Sequence, residues 1–300
     1  MTGRTWILRT AAAIAAILCI NFAAAILLDP YGLFRNPRGR RLTVAFAGRK
    51  AKFLLSKRYV PANFNALLIG PSSSENWDPA SIPDFNIYNE SILGSNVAEE
   101  KRIVDQALPR GHFKLAICIL YPTMTTNHAM NDGLDAVSTV EALGSIHLYV
   151  NEAVHILAAL HHSIGEISSP NGSTPLKVLP QHFDAAPYPP SYFQLDPVAV
   201  DAYTKMVQSL RDRGATILYI IPPLYEPFRS ANSAALGNYK QVMQRTLPPA
   251  PIIDLDGPDF DAFRSDPSNY VDSFHVNAEG AAKIDAYLAQ RIPQALNSSN

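Results

Sequence analysis

Apolar positions along the chain follow two patterns. From Ala11 to Leu28 the run AAAIAAILCINFAAAILL carries no charge, and with Thr10 it comes close to the ~20 residues that span a hydrocarbon core. From residue 61 onward, short runs rich in Ile, Leu or Tyr alternate with stretches of helical period. NALLIG (65–70), FNIYN (85–89), LAICILY (115–121), TILYII (216–221) and PIIDL (251–255) predict strands. Between and after them, Ser95 is placed to cap NVAEEKRIVDQAL. Asp196-Pro197 opens VAVDAYTKMVQSLRDRG with Gly214 as its stop, and Asn277 is placed to cap AEGAAKIDAYLAQRI. Strands separated by helices imply crossover connections. The expected fold is therefore a three-layer α/β sandwich with a mostly parallel five-stranded sheet, preceded by an N-terminal transmembrane helix.

This pattern divides the chain into residues 1–28, a stub and membrane segment; 29–60, a basic juxtamembrane connector; and 61–300, the α/β domain. Cleavage after Ala23-Ala24-Ala25 competes with an uncleaved signal anchor, but the apolar run continues through Leu28, which is long for a signal peptide. Arg4 and Arg9 precede the segment, whereas Arg35, Arg38, Arg40 and Arg41 follow it. That count alone favours a cytoplasmic domain. The stretch AFAGRKAKFLLSKRY reads either as an amphipathic patch on the membrane surface or as an ordinary helix leading into the domain. Residues 122–196 lack strands of their own. They are expected to form a helical and Pro-rich insertion over one sheet edge, the kind of segment that makes lids and binding walls.

Composition narrows the function. With 25 basic and 26 acidic side chains the net charge is −1, so no bulk field draws nucleic acid to the protein. Cys19 and Cys118 stand in separate apolar runs outside any C-x-x-C spacing, which leaves no structural zinc site. His155, His161 and His162 fit amphipathic helix patterning better than a metal site, since no carboxylate accompanies them at ligand spacing. No metal or organic cofactor is expected.

The candidate chemistry starts at LLIGPSSSENWDP (67–79), where a strand stops at Gly70-Pro71 and presents three serines. In a parallel sheet that position faces the ligand-binding edge. A serine hydroxyl needs a base to become a nucleophile. VDSFHVNAEG (271–280) offers one in His275, with Asp272 three residues upstream to orient its imidazole. Taken alone, Ser72 reads as a capping serine and His275 as a hydrogen-bonded loop histidine; together with Asp272 they read as nucleophile, general base and orienting carboxylate.

At these residues the chain resembles the SGNH hydrolase-like superfamily, in its membrane-anchored subgroup similar to polysaccharide O-acetylation proteins of the bacterial cell envelope. Gly70-Pro71-Ser72 with Asp78-Pro79 is similar to the first block of that family. Tyr88 to Ser95 echoes the second, and Asp272-Ser273-Phe274-His275 with Asn277 and Gly280 echoes the last. The resemblance implies an esterase or O-acyltransferase with Ser72, Asp272 and His275 as its triad and the Ser72 and Gly94 amides as oxyanion donors. Trp77, Asn89 and Tyr225 are the expected substrate contacts, the two aromatics by stacking on sugar rings. It further implies an extracytoplasmic domain on the bacterial inner membrane, a carbohydrate polymer or acylated sugar as substrate, and a membrane-bound acyltransferase as partner. One departure stands out. The third family block carries an asparagine oxyanion donor after its strand, and this chain has Leu120-Tyr121-Pro122-Thr123 there. A non-catalytic carbohydrate-binding or assembly factor on the same fold is therefore the alternative.

Overall fold

The computed structural model describes residues 3–44, 48–127, 168–174 and 186–297, together with Val150, Ala153, Leu157, Leu176 and Phe183. Its centre is a five-stranded sheet of β1 (Ala66–Ile69), β2 (Ile87–Asn89), β3 (Leu115–Ile119), β4 (Thr216–Ile221) and β5 (Ile252–Asp254). The strand order is β2-β1-β3-β4-β5, and every neighbouring pair is parallel. All five strands lie within the runs that the sequence marks. Because side chains alternate across a strand, Leu67 and Ile69 of β1 enter one core while Ala66 and Leu68 enter the other. The first core lies under the helices Val97–Ala107 and Pro197–Asp212, and the second under Ala278–Asn297. Both faces of the sheet are covered, which explains why its strands read as continuous apolar runs.

The caps refine the helix boundaries. Asn96, one residue past the expected Ser95, caps Val97–Ala107 by accepting from the Ala98 and Glu99 amides, while the Glu99 side chain accepts from the Asn96 amide. Ser95 instead donates its hydroxyl to the buried Glu100. Asp196 caps Pro197–Asp212 as expected, and the Asn277 side chain accepts from the Gly280 amide at 2.9 Å.

The N-terminal helix α1 spans Gly3–Leu28, long and apolar enough to cross a membrane. Its side chains are exposed over nearly the whole length, Leu27 to 67%, and Ala25 is its one buried residue. The following helix α2, Arg49–Leu55, buries Ala51, Lys52, Phe53, Leu54 and Leu55. This decides between the two readings of that stretch: α2 packs into the domain and offers no apolar face to a membrane. Within residues 122–196, the described parts are the short helix Pro122–Thr125, a turn at 168–174 and a 3-10 turn at Pro190–Phe193. Apart from Val150, Ala153 and Leu157, the stretch TVEALGSIHLYVNEAVHILAALHH in which helices are expected, and with it His155, His161 and His162, lies outside the described residues.

Candidate active site

With the order β2-β1-β3-β4-β5, the connections leave the sheet in opposite directions from β1 and β3, and such a switch point opens a crevice at the strand carboxyl ends. Gly70 and Pro71 carry the chain out of β1 at that point, and Ser72–Ser74 form a single 3-10 turn. Gly70 is required for close approach. A Cβ there would sit 2.6 Å from Ile119 Cγ1 and 2.7 Å from Ser74 Oγ. The three serines part company within the turn. Ser74 is buried, bonded to the Pro71 carbonyl and 2.8 Å from the Ser91 hydroxyl, and Ser73 is buried with no hydrogen-bond partner for its hydroxyl among the described residues. Ser72, half-buried, reaches across 203 residues of sequence to His275, with Oγ 2.8 Å from Nε2.

His275 sits in a loop held from several sides. The Val271 amide donates to its carbonyl at 2.8 Å, Tyr270 and Val276 form an antiparallel bridge, and the Tyr225 amide donates to Ser273 O. Phe274 packs edge-on against Phe228 at 4.6 Å between ring centres and lies 5.4 Å from Tyr188. The Asn76 side chain then donates to Val276 O at 2.7 Å, tying this loop to the serine turn. Asp272 completes the chain. Its Oδ2 lies 2.7 Å from His275 Nδ1, and its Oδ1 accepts the Phe274 and His275 amides, each at 2.8 Å.

Electrostatics fix the direction of the protons. Burial pushes the Asp272 carboxyl up, but the His275 bond and charge together with the two amides outweigh it and hold the group below its usual value. Asp272 is therefore an acceptor only, so Nδ1 of the imidazole must donate to it. In the neutral ring Nε2 is then the acceptor, and the Ser72 hydroxyl donates to it. Proton donation thus runs from serine to imidazole and from imidazole to carboxylate, as acyl-transfer sites require.

The other sequence-predicted residues are placed differently. Gly94 occupies an exposed turn with φ +63°, a left-handed conformation natural to glycine, and the Arg49 guanidinium donates to the Leu93 and Gly94 carbonyls at 3.3 Å each. Tyr225 is half-buried near the site, its ring 4.6 Å from Phe183. Trp77 and Asn89 correct the expectation of substrate contact. Trp77 is 1% exposed within the core under Ala278–Asn297, so its ring has no free face. Asn89 is fully buried, and its amide donates to the carbonyls of Ser74, Glu75 and Trp77. Asn89 thereby clamps the turn that carries Ser72. After β3, at Leu120-Tyr121-Pro122-Thr123, Tyr121 bonds the Tyr192 hydroxyl at 2.9 Å, and the Thr123 hydroxyl is buried with no hydrogen-bond partner among the described residues.

Sequence reasoning missed a buried polar layer behind the serine turn. Lys52 of α2 is fully buried and donates to the carbonyls of Asn89, Ser91 and Gly172 at 2.8, 2.5 and 3.0 Å. Burial lowers its pKa against the pull of Glu75, Glu90 and Glu100. Burial likewise raises the Glu90 carboxyl to about 7, and raises Glu75 against the opposing charges of Lys52 and His275. The Arg49 guanidinium holds the Gly94 turn from the side of α2. The sequence signal was present in Lys52, a cation set between Ala51 and the apolar Phe53-Leu54-Leu55. Among the described residues no cluster of His, Cys, Asp and Glu has a metal-binding arrangement.

No family profile matches the sequence, and no curated protein matches it. Some solved structures do match it. One of them, from Streptococcus pneumonia and described as a candidate platelet activating factor, shares 15% identity over 80% of this chain and 88% of its own, with a TM-score of 0.45. Likeness at that level is silent on chemistry.

Proposed function

We propose that this protein is a membrane-anchored serine esterase or O-acyltransferase of the SGNH hydrolase-like type. The observation that carries the reading is the unbroken hydrogen-bonded path from Ser72 through His275 to Asp272. In the proposed reaction, Ser72 Oγ attacks the carbonyl carbon of an acyl ester as its proton passes to His275 Nε2. The Ser72 and Gly94 amides are the proposed donors to the resulting oxyanion. Collapse breaks the ester C–O bond, Nε2–H protonates the departing alcohol, and the acyl group stays on Oγ. Water or a sugar hydroxyl then gives its proton to Nε2 and attacks the acyl carbon; collapse breaks the acyl–Oγ bond, and Nε2–H returns the proton to Ser72 Oγ. Asp272 keeps the imidazole in the Nδ1–H form and stabilises the imidazolium.

The substrate in this reading is an acylated sugar or carbohydrate polymer of the cell envelope. The domain lies outside the cytoplasm, anchored to the bacterial inner membrane by α1. The family resemblance supports both statements, and a membrane-bound acyltransferase is the proposed partner on the same ground. A non-catalytic carbohydrate-binding factor is the second reading, favoured by the lack of an asparagine in Leu120-Tyr121-Pro122-Thr123. Acetyl release or transfer from a panel of acetylated sugars separates the two. Turnover lost in Ser72→Ala and His275→Ala supports the enzyme; sugar binding without turnover in the wild type supports the binding factor.

A further inference from the structure

The junction between α1 and the domain is stiff and basic. The Asp29 carboxylate accepts the Leu33, Phe34 and Arg35 amides at 2.6, 3.3 and 3.0 Å and pairs with Arg40 at 2.8 Å. The Arg35 side chain donates back to Leu28 O, the last residue of the helix, at 3.1 Å. The chain therefore turns sharply at the helix end, and residue 35 lies within one arginine side chain's length of Leu28. Immediately after it, Asn36, Pro37 and Arg38 line a hollow of about 290 Å³ shared with Arg58 and Arg110. Arg58 donates to Leu33 O and Arg110 to Lys57 O, bonds that orient both guanidinium groups. Among the described residues no carboxylate pairs with Arg38, Arg58 or Arg110.

We propose that this hollow binds the phosphate of an anionic phospholipid headgroup and so fixes the domain's height and tilt on the membrane. The inference rests on α1 lying in a bilayer and is independent of the esterase reading. The uncharged run ends at Leu28, so the headgroup layer lies level with the residues that follow it. Guanidinium forks match phosphate oxygens with paired hydrogen bonds. Three of them around one concavity, with no carboxylate to neutralise them, suit a net-anionic phosphodiester headgroup better than one whose phosphate is paired with its own ammonium. Arg38 and Arg110 are exposed and Arg58 is half-buried, which leaves the donors open to a headgroup. The net charge of −1 makes this a local feature and not part of a generally basic surface.

The test uses the full chain in a neutral detergent, titrated with phosphatidylglycerol or phosphatidylcholine and read by native mass spectrometry as lipid retained. The wild type is expected to retain phosphatidylglycerol preferentially. Arg38→Gln/Arg110→Gln is expected to weaken that retention roughly 25-fold, about fivefold per arginine removed, with acetyl-ester hydrolysis unchanged. Arg38→Lys/Arg110→Lys, which keeps the charge but loses the paired fork, serves as a second variant and should bind between the wild type and the glutamine variant. Circular dichroism melting confirms that both variants fold. Equal retention of the two lipids by the wild type, undiminished phosphatidylglycerol binding in the glutamine variant, or displacement of the lipid by equimolar inorganic phosphate would each overturn the proposal. Loss of hydrolysis with lipid binding intact would bear on the esterase reading alone.

Discussion

Replacing Asp272 by Asn changes one atom and reverses the proton traffic of the site. In the wild type, Oδ1 accepts two backbone amides and Oδ2 faces His275 Nδ1. The substituted side chain must turn its only oxygen toward those amides, because an NH₂ group there would oppose two N–H donors. The NH₂ then faces Nδ1 and requires it to accept, which moves the imidazole proton to Nε2. An Nε2–H donates to Ser72 Oγ and cannot take the serine proton. With the wrong tautomer locked in place, kcat is expected to fall by about 10⁴, a barrier increase of about 5.5 kcal/mol. Both backbone bonds survive, so the fold should change little. The assay is p-nitrophenyl acetate hydrolysis by Asp272→Asn and wild type, with thermal melts of both. A loss of kcat under about tenfold in a well-folded variant would refute the tautomer argument, because the imidazole would then be working without its carboxylate.

Three further outcomes follow from buried polar groups around the site. Asn89→Ala frees the buried carbonyls of Ser74, Glu75 and Trp77; at ~1 kcal/mol or more each, stability in urea should fall by about 3 kcal/mol. Its kcat should drop with KM unchanged, and a raised KM with normal kcat would instead mark a substrate contact. Lys52→Met removes all three bonds from the lysine to the carbonyls of Asn89, Ser91 and Gly172. It should cost roughly 3–5 kcal/mol in denaturant unfolding, and a cost near zero would mean those carbonyls find other donors. Asp285 accepts the Asp78 amide at 2.9 Å, and burial raises its carboxyl from 3.8 to about 7. Its native state holds a proton that the unfolded chain releases, so its contribution is complete below 3.8 and is lost as pH rises to about 7. In the wild type minus Asp285→Asn difference, stability should fall by up to about 1.4 kcal/mol per pH unit across that window. A flat difference would contradict the raised value.

The strands were legible because a sheet buried on both faces writes itself as unbroken apolar runs. Ser72, Asp272 and His275 were legible because a strand-end serine and a D-x-x-H turn are local patterns whose spacing reflects local geometry. What stayed hidden depended on packing between distant segments. Trp77 next to a polar turn looks like a sugar platform, yet the helix Ala278–Asn297 covers it. Asn89 looks like a ligand group at a strand end, although its amide serves the three carbonyls of the serine turn. The amphipathic look of α2 misled for the same reason: one of its basic residues, Lys52, is buried on the carbonyls of Asn89, Ser91 and Gly172, which no helical period encodes. The one-residue shift from Ser95 to Asn96 has a similar cause, since the buried Glu100 takes the serine hydroxyl.

Covalent labelling tests the central claim most directly, because it asks whether Ser72 Oγ is activated without needing the natural substrate. The full chain is treated with a fluorophosphonate, and the adduct is located by peptide mass spectrometry. A single adduct on Ser72, absent from Ser72→Ala and formed at least 100-fold more slowly in His275→Ala, as expected when a catalytic base is lost (~10²–10⁴), is the predicted result. No adduct in the folded wild type, or one that forms equally fast without His275, would contradict the account.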